Sequence, residues 1–182
     1  MTAPRRIGVF GVGNVLMSDD GIGPHVLKTL EAHCCFPPHV VLHDLGAPGP
    51  DLTLFLARYD AVILIHTVNA GRPGEIQVYR KRQLLGVPKA SSVIPNDPAV
   101  LNALLCAESA GKSPQELLLV GVVPESTGVG CGLSESVRTA VAGAVSVILA
   151  ELYRLGTCVR ARSEAEEPSH RHEEKVSSEC QL

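Results

Sequence analysis

Short apolar runs alternate with longer stretches of helical spacing along most of the chain. Runs of strand length fall at residues 7–12, 40–44, 61–68, 76–79 and 117–123, and the apolar spacing predicts helices over 22–33, 50–59, 98–110 and 134–155. In the last of these, Val137, Val141, Val145, Ile148, Leu149 and Leu152 form one stripe behind Ser134, a suitable N-cap, which is the pattern of a core-facing helix. Strands and helices taking turns in this way point to βαβ units, whose crossovers lie on the faces of a parallel sheet. The expected fold is therefore α/β, a single-domain three-layer sandwich with a twisted, mostly parallel sheet flanked by helices.

The pattern stops near residue 156. From 157 to 182, ten residues are Asp, Glu, Lys or Arg and large apolar side chains nearly vanish, so the expected organisation is one α/β domain over 1–156 and a charged disordered tail over 157–182. His170 and His172 lie in that solvated run, where two histidines more often bind nothing. Hydrophobic residues make up 45% of the 182-residue chain, enough for one well-covered core, but aromatics supply only 3% and there is no Trp. The core must then be built from Val, Leu, Ile and Ala, as buried parallel sheets are. A formal charge of -3 with scattered basic residues gives no footprint for nucleic acid or for an anionic membrane. Residues 1–6 are not followed by an apolar segment of the signal type, and the helix at 134–155 carries Glu135, Arg138 and Glu151, so a cytoplasmic protein without a membrane span is expected. The six cysteines show no Cys-x-x-Cys spacing and read as free thiols of a reducing compartment.

Candidate chemistry gathers where strands give way to helices. The run Gly11-Val12-Gly13-Asn14-Val15-Leu16-Met17-Ser18-Asp19-Asp20-Gly21-Ile22-Gly23 joins the first strand to the first helix and carries a carboxylate pair. Gly11 and Gly13 suit tight backbone geometry, and Asn14 can bond the local backbone. Asp19 and Asp20 can cap the helix or favour its positive end, a role that needs no catalysis. A dinucleotide site is a weak second choice, because Leu16 stands where a third glycine belongs and a phosphate here would meet two acids. The third strand is apolar until His66, which emerges at the strand end facing the same crevice as Asp20; alone it reads as a hydrogen-bonded structural residue. Asn96 and Asp97 open the next helix and alone read as N-caps. Together, Asp20, His66 and Asp97 converge from separate sheet edges with two carboxylates and an imidazole, donors that suit a first-row metal such as nickel or zinc. No Gly-x-Ser-x-Gly elbow supports a serine nucleophile, and no partner is placed for a cysteine one.

Three segments together resemble the hydrogenase maturation endopeptidases, which trim the C-terminus of the large subunit of nickel-iron hydrogenases. The run from Gly11 to Gly23 is similar to their G-x-G-N-x-L-x-x-D-[ED]-G-x-G opening. The strand ending Ile65-His66-Thr67-Val68-Asn69-Ala70-Gly71 is similar to their V-D-A-V-D-x-G, and Gly121-Val122-Val123-Pro124-Glu125-Ser126 with Gly130-Cys131-Gly132-Leu133-Ser134 to their G-x-x-P-E-S and G-x-G-L-S. The resemblance implies a twisted sheet flanked by helices and an aspartyl-type endopeptidase acting on the precursor of a hydrogenase large subunit. It also implies that nickel, carried by the substrate, is inspected by an acid of the first motif, an Asp of the middle strand and a His before the following helix. Carried over, these fall on Asp20, on His66 in place of Asp, and on Asn96 or Asp97 in place of His. With Asp97 as third ligand the set Asp20, His66 and Asp97 keeps two carboxylates and one imidazole, with Asp20 and His66 as catalytic residues and Asp19, Asn69 and Asn96 as neighbours that orient the ligands. The alternatives are a non-catalytic chaperone or nickel-checking binding protein for the large subunit and, further off, a nucleotide-binding enzyme.

Overall fold

A computed structural model describes residues 4–69, 71–86 and 98–162. Its centre is a five-stranded sheet made of β1 (Ile7–Val12), β3 (Val40–Gly46), β4 (Ala61–Thr67), β5 (Ile76–Arg80) and β6 (Glu116–Val122), in the order β3-β1-β4-β6-β5. The pairs β1–β3, β1–β4 and β4–β6 are parallel, and only β5 runs antiparallel to its neighbour β6. The α/β expectation holds, with one reversed edge strand that an apolar run alone does not reveal.

Both faces of the sheet are covered, which is why its central strands are apolar along nearly their whole length, with polar residues only at the strand ends. On one face Ile7, Val9, Ile63, Ile65, Leu118 and Val120 pack against α1 (Ile22–His33) and α5 (Glu135–Arg154), through Val26 and Leu30 of the first and Val137, Ala144, Ile148 and Leu152 of the second. On the other, Phe10, Val62, Leu64, Leu117 and Leu119 meet α2 (Leu52–Leu56), α3 (Lys81–Leu85) and α4 (Pro98–Ser109). Ser134 caps α5 as its sequence position predicts, its Oγ accepting from the Val137 N–H. By length and composition α5 could cross a membrane, but its apolar stripe lies against the sheet.

Several details depart from expectation for physical reasons. The helix expected over 50–59 is a 3-10 turn, Gly49–Asp51, followed by the five residues of α2; Arg58 and Tyr59 N–H groups then bond three residues back, to Phe55 and Leu56, and end the helix. The short polar helix α3 has too few apolar positions to show a period. Beyond α5 the chain stays ordered further than the boundary at 157 anticipated: Thr157 is buried, and β7 (Arg160–Ala161) pairs antiparallel with β2 (Cys34–Cys35). Residues 163–182, the rest of the expected tail, lie outside the described residues. The buried Glu151 of α5 takes both guanidinium nitrogens of Arg80, at 3.0 and 3.1 Å, and two from Arg154, so the reversed edge strand is clasped to the last helix. Burial pushes the Glu151 carboxyl up, but Arg154 and Arg80 hold it below the usual range.

The layout matters for function because the chain leaves β1 through α1 to one side, forming β3, whereas β4 adds on the other side of β1. The crevice beyond the ends of β1 and β4 lies where these connections diverge, the position at which open α/β sheets bind ligands. Gly23, at the start of α1, makes this approach close. A Cβ there would stand 2.6 Å from the Val12 N and O and 2.9 Å from the Ile65 carbonyl oxygen, all backbone atoms that cannot step aside. Gly23→Ala is expected to lower stability by about 1–3 kcal/mol, the usual cost of overpacking; urea unfolding of the two proteins checks it, and an unchanged midpoint would show that α1 is free to retreat.

Candidate functional site

The first motif departs from β1 at Gly13, whose φ of +133° belongs to glycine and whose added Cβ would overlap the Asp20 carbonyl oxygen. Asn14 accepts the Leu16 N–H on its side-chain oxygen at 3.0 Å, which closes the local turn as its sequence position suggests. The turn then tightens into a 3-10 segment, Ser18–Gly21, that runs straight into α1; neither Asp caps that helix, whose N-cap is Gly21 without a side-chain bond.

The two adjacent acids face different worlds. Asp19 is fully buried and its carboxylate accepts from the Glu125 N–H at 2.8 Å, the Ser126 N–H at 3.0 Å, the Ser134 N–H at 2.6 Å and the Ser134 hydroxyl at 2.9 Å. Burial alone would raise its pKa, but these bonds from Ser134, Ser126 and Glu125 outweigh that and hold the group below the ordinary carboxylate value. Asp19 thus ties the first motif to the loop that precedes α5.

Asp20 turns toward the sheet. Its Oδ2 accepts the Asn14 N–H at 2.7 Å, and its Oδ1 accepts the Thr67 hydroxyl at 3.2 Å and lies 4.0 Å from His66 Nδ1. His66, almost wholly buried at the end of β4, also places Nδ1 3.2 Å from the Val12 carbonyl oxygen. In the tautomer that donates to Val12, Nε2 carries the basic lone pair. Each carboxylate oxygen of Asp20 accepts one bond and keeps a second lone-pair direction for an ion or a water. Asp20 and His66 line one cavity of about 370 Å³ together with Val12, Gly13, Met17, Ala47 and Thr127.

The structure therefore brings Asp20 and His66 together and sets Asp19 immediately behind them as a support. Asn69 stands exposed in the bend after β4 and is not among the described residues lining the cavity. Asn96 and Asp97 lie outside the described residues. Among the described residues no three His, Cys, Asp or Glu side chains form a metal cage, so the described part of the site offers two donors. Two hydroxyl residues join the site that sequence reasoning passed over, Thr67 on Asp20 and Thr127 in the cavity wall. Thr67 lies within the quoted strand motif and Thr127 adjoins Ser126 of the third, and those places in the chain are the only signal.

The family model described as hydrogenase maturation protease matches residues 24–151. The chain belongs to this family. Among hydrogenase maturation proteases, it is similar to the Hydrogenase 2 maturation protease of Escherichia coli (strain K12), 29% identical over 153 residues that cover 83% of this chain and 93% of the relative. It is also similar to the hydrogenase expression/formation protein HoxM of Azotobacter vinelandii, 32% identical over 164 residues, 89% of this chain and 79% of that one. Of solved structures, the E. coli hydrogenase maturating endopeptidase HybD superposes with a TM-score of 0.75 at 28% identity, covering 86% of this chain and 98% of its own. The mostly parallel sheet between helices is the fold of these endopeptidases.

The Asp19 network yields a pH-dependent expectation. Because the folded protein holds this carboxyl below its ordinary value of 3.8, the stability it contributes is complete above that value and is lost as pH falls through the lowered native one. Asp19→Asn removes that acid-side slope. It also turns an NH₂ group toward N–H donors, leaving at least one of them unsatisfied, and is expected to cost about 2–3 kcal/mol at pH 7. Unfolding midpoints in urea between pH 3 and 7 check both; parallel pH profiles for the two proteins would separate Asp19 from acid stability.

Proposed function

We propose that this hydrogenase maturation protease removes a short C-terminal extension from the nickel-loaded precursor of a nickel-iron hydrogenase large subunit, with Asp20 and His66 at the point of contact. The observation that carries the reading is the pairing of a carboxylate and an imidazole from the ends of two adjacent parallel strands, 4.0 Å apart in one cavity, in a chain of this family.

The chemistry of the donors supports a role for an ion that arrives with the substrate. Two protein donors are too few to hold a resident transition metal tightly, but they complete the coordination of a nickel ion already ligated by the precursor. Asp20 offers its remaining lone pairs and His66 its imidazole, with Asp97 as the third donor of the set. Thr67 and the Asn14 N–H fix the carboxylate, and the Val12 carbonyl fixes the ring, so both donors are oriented before the ion arrives. Nickel then serves as the handle that aligns the scissile bond with the cavity, so that a precursor without nickel is passed over. Imidazole takes the place that the family gives to a carboxylate, an exchange that nickel accepts because both are ordinary donors to it. A cytoplasmic setting goes with this reading, since Cys34, Cys106, Cys131 and Cys158 are free thiols.

Incubating the full chain with nickel-loaded precursor and measuring intact masses is expected to show loss of a C-terminal peptide. Binding without mass loss would instead identify a chaperone. His66→Ala is expected to slow processing by about 100-fold or more, and His66→Asp to retain more activity than His66→Ala. Unchanged processing by His66→Ala would remove the imidazole from the site.

A further inference from the structure

Six large apolar side chains stand exposed among the described residues, and three of them, Val15 at 39%, Leu16 at 60% and Val129 at 91%, sit on the two loops that flank the Asp20–His66 cavity. Scattered singly, such residues need no explanation, but gathered on one rim they mark a contact surface. The two loops are fastened side by side. The Gly130 N–H donates to the Leu16 carbonyl at 3.0 Å and the Ser18 N–H to the Gly130 carbonyl at 2.9 Å, while the Ser18 hydroxyl donates to the Gly128 carbonyl at 3.0 Å. Leu16 and Val129 are thereby neighbours across the join.

The ground on either side is concave. Met17 lines the larger cavity and Val15 a smaller one of about 210 Å³, and the two cavities share Gly13 and Ala47. Leu16 stands in the chain between the residue that lines one and the residue that lines the other. Side chains this exposed add little to the stability of their own fold, yet the backbone beneath them is held by the buried Asp19 and by the bonds between loops. A rigid apolar rim that the fold does not use is preorganised for a partner. The occupant follows from the reaction class: a peptidase acts on a polypeptide, and this rim adjoins the cavity that holds Asp20 and His66, so a chain whose scissile bond reaches that cavity can lie along it.

We infer that Val15, Leu16 and Val129 form an apolar clamp for the segment of the precursor chain that adjoins the scissile bond. The clamp sets affinity, and the cavity acts on the bond. This inference rests on the peptidase reading of the cavity, so binding and cleavage are measured separately.

The test uses the full chain with Leu16→Ser and Val129→Ser, singly and together, and with Tyr153→Ser as control, an exposed side chain at the other end of α5. Each single change is expected to raise the Kd and KM for nickel-loaded precursor about tenfold, and the pair about 100-fold, as follows from withholding one apolar side chain at a time from burial. The value of kcat at saturation is expected to fall less than threefold, thermal midpoints to stay unchanged, and Tyr153→Ser to bind like the parent. A Kd within twofold of the parent for the double variant overturns the clamp. So does an equal loss in Tyr153→Ser, or sedimentation showing that the parent is a dimer which the double variant dissociates. A parent protein that binds the precursor without cutting it would sink the peptidase reading, whereas the Kd values would still decide the clamp.

Discussion

One carboxylate without access to water holds the functional end of the molecule together. Asp19 accepts the N–H groups of Glu125, Ser126 and Ser134 and the Ser134 hydroxyl, and so adds a buried anchor to two segments that are also joined through the backbones of Leu16, Ser18 and Gly130. A buried anion is costly unless it is hydrogen-bonded, and here the satisfaction is complete enough to keep the group ionised. Remove it and Glu125, Ser126 and Ser134 at the start of α5 lose their common anchor.

Asp20 shows how much position decides for identical side chains. Linked to Asp19 only through the chain, it keeps partial contact with solvent and sits against Thr67 and His66. One acid fixes the scaffold, and its neighbour faces the cavity. The glycines make this arrangement fit. Gly13 lets the backbone pass the Asp20 carbonyl and Gly23 lets α1 press onto β1 and β4, which brings the turn and the strand end within reach of each other.

Much of this was legible in the chain. The bounds of β1 and α1 follow directly from apolar spacing, because a doubly covered strand and an amphipathic helix leave unmistakable periods. The meeting of Asp20 and His66 was foreseeable from their places at adjacent strand ends. What Asp19 does was not: beside a helix it looks like a cap, and its true partners lie 106 to 115 residues further along. The direction of β5 was hidden because a pairing partner's orientation leaves no trace in an apolar run, and β2 with β7 was hidden because two-residue strands have no period. The hydroxyls of Thr67 and Thr127 were silent for a different reason, since threonine is ordinary both in strands and in loops.

The long reach of the Asp19 bonds also bears on when the protein comes into being. His66 meets the Val12 carbonyl across 54 residues and Ser134 meets Asp19 across 115, so no early portion of the chain contains the finished crevice. Contacts so distant in sequence form late and slowly. During synthesis the sheet can begin to assemble, but the crevice that holds Asp20 and His66 stays without its Asp19 anchor until the ribosome has delivered Ser134 at the start of the last helix.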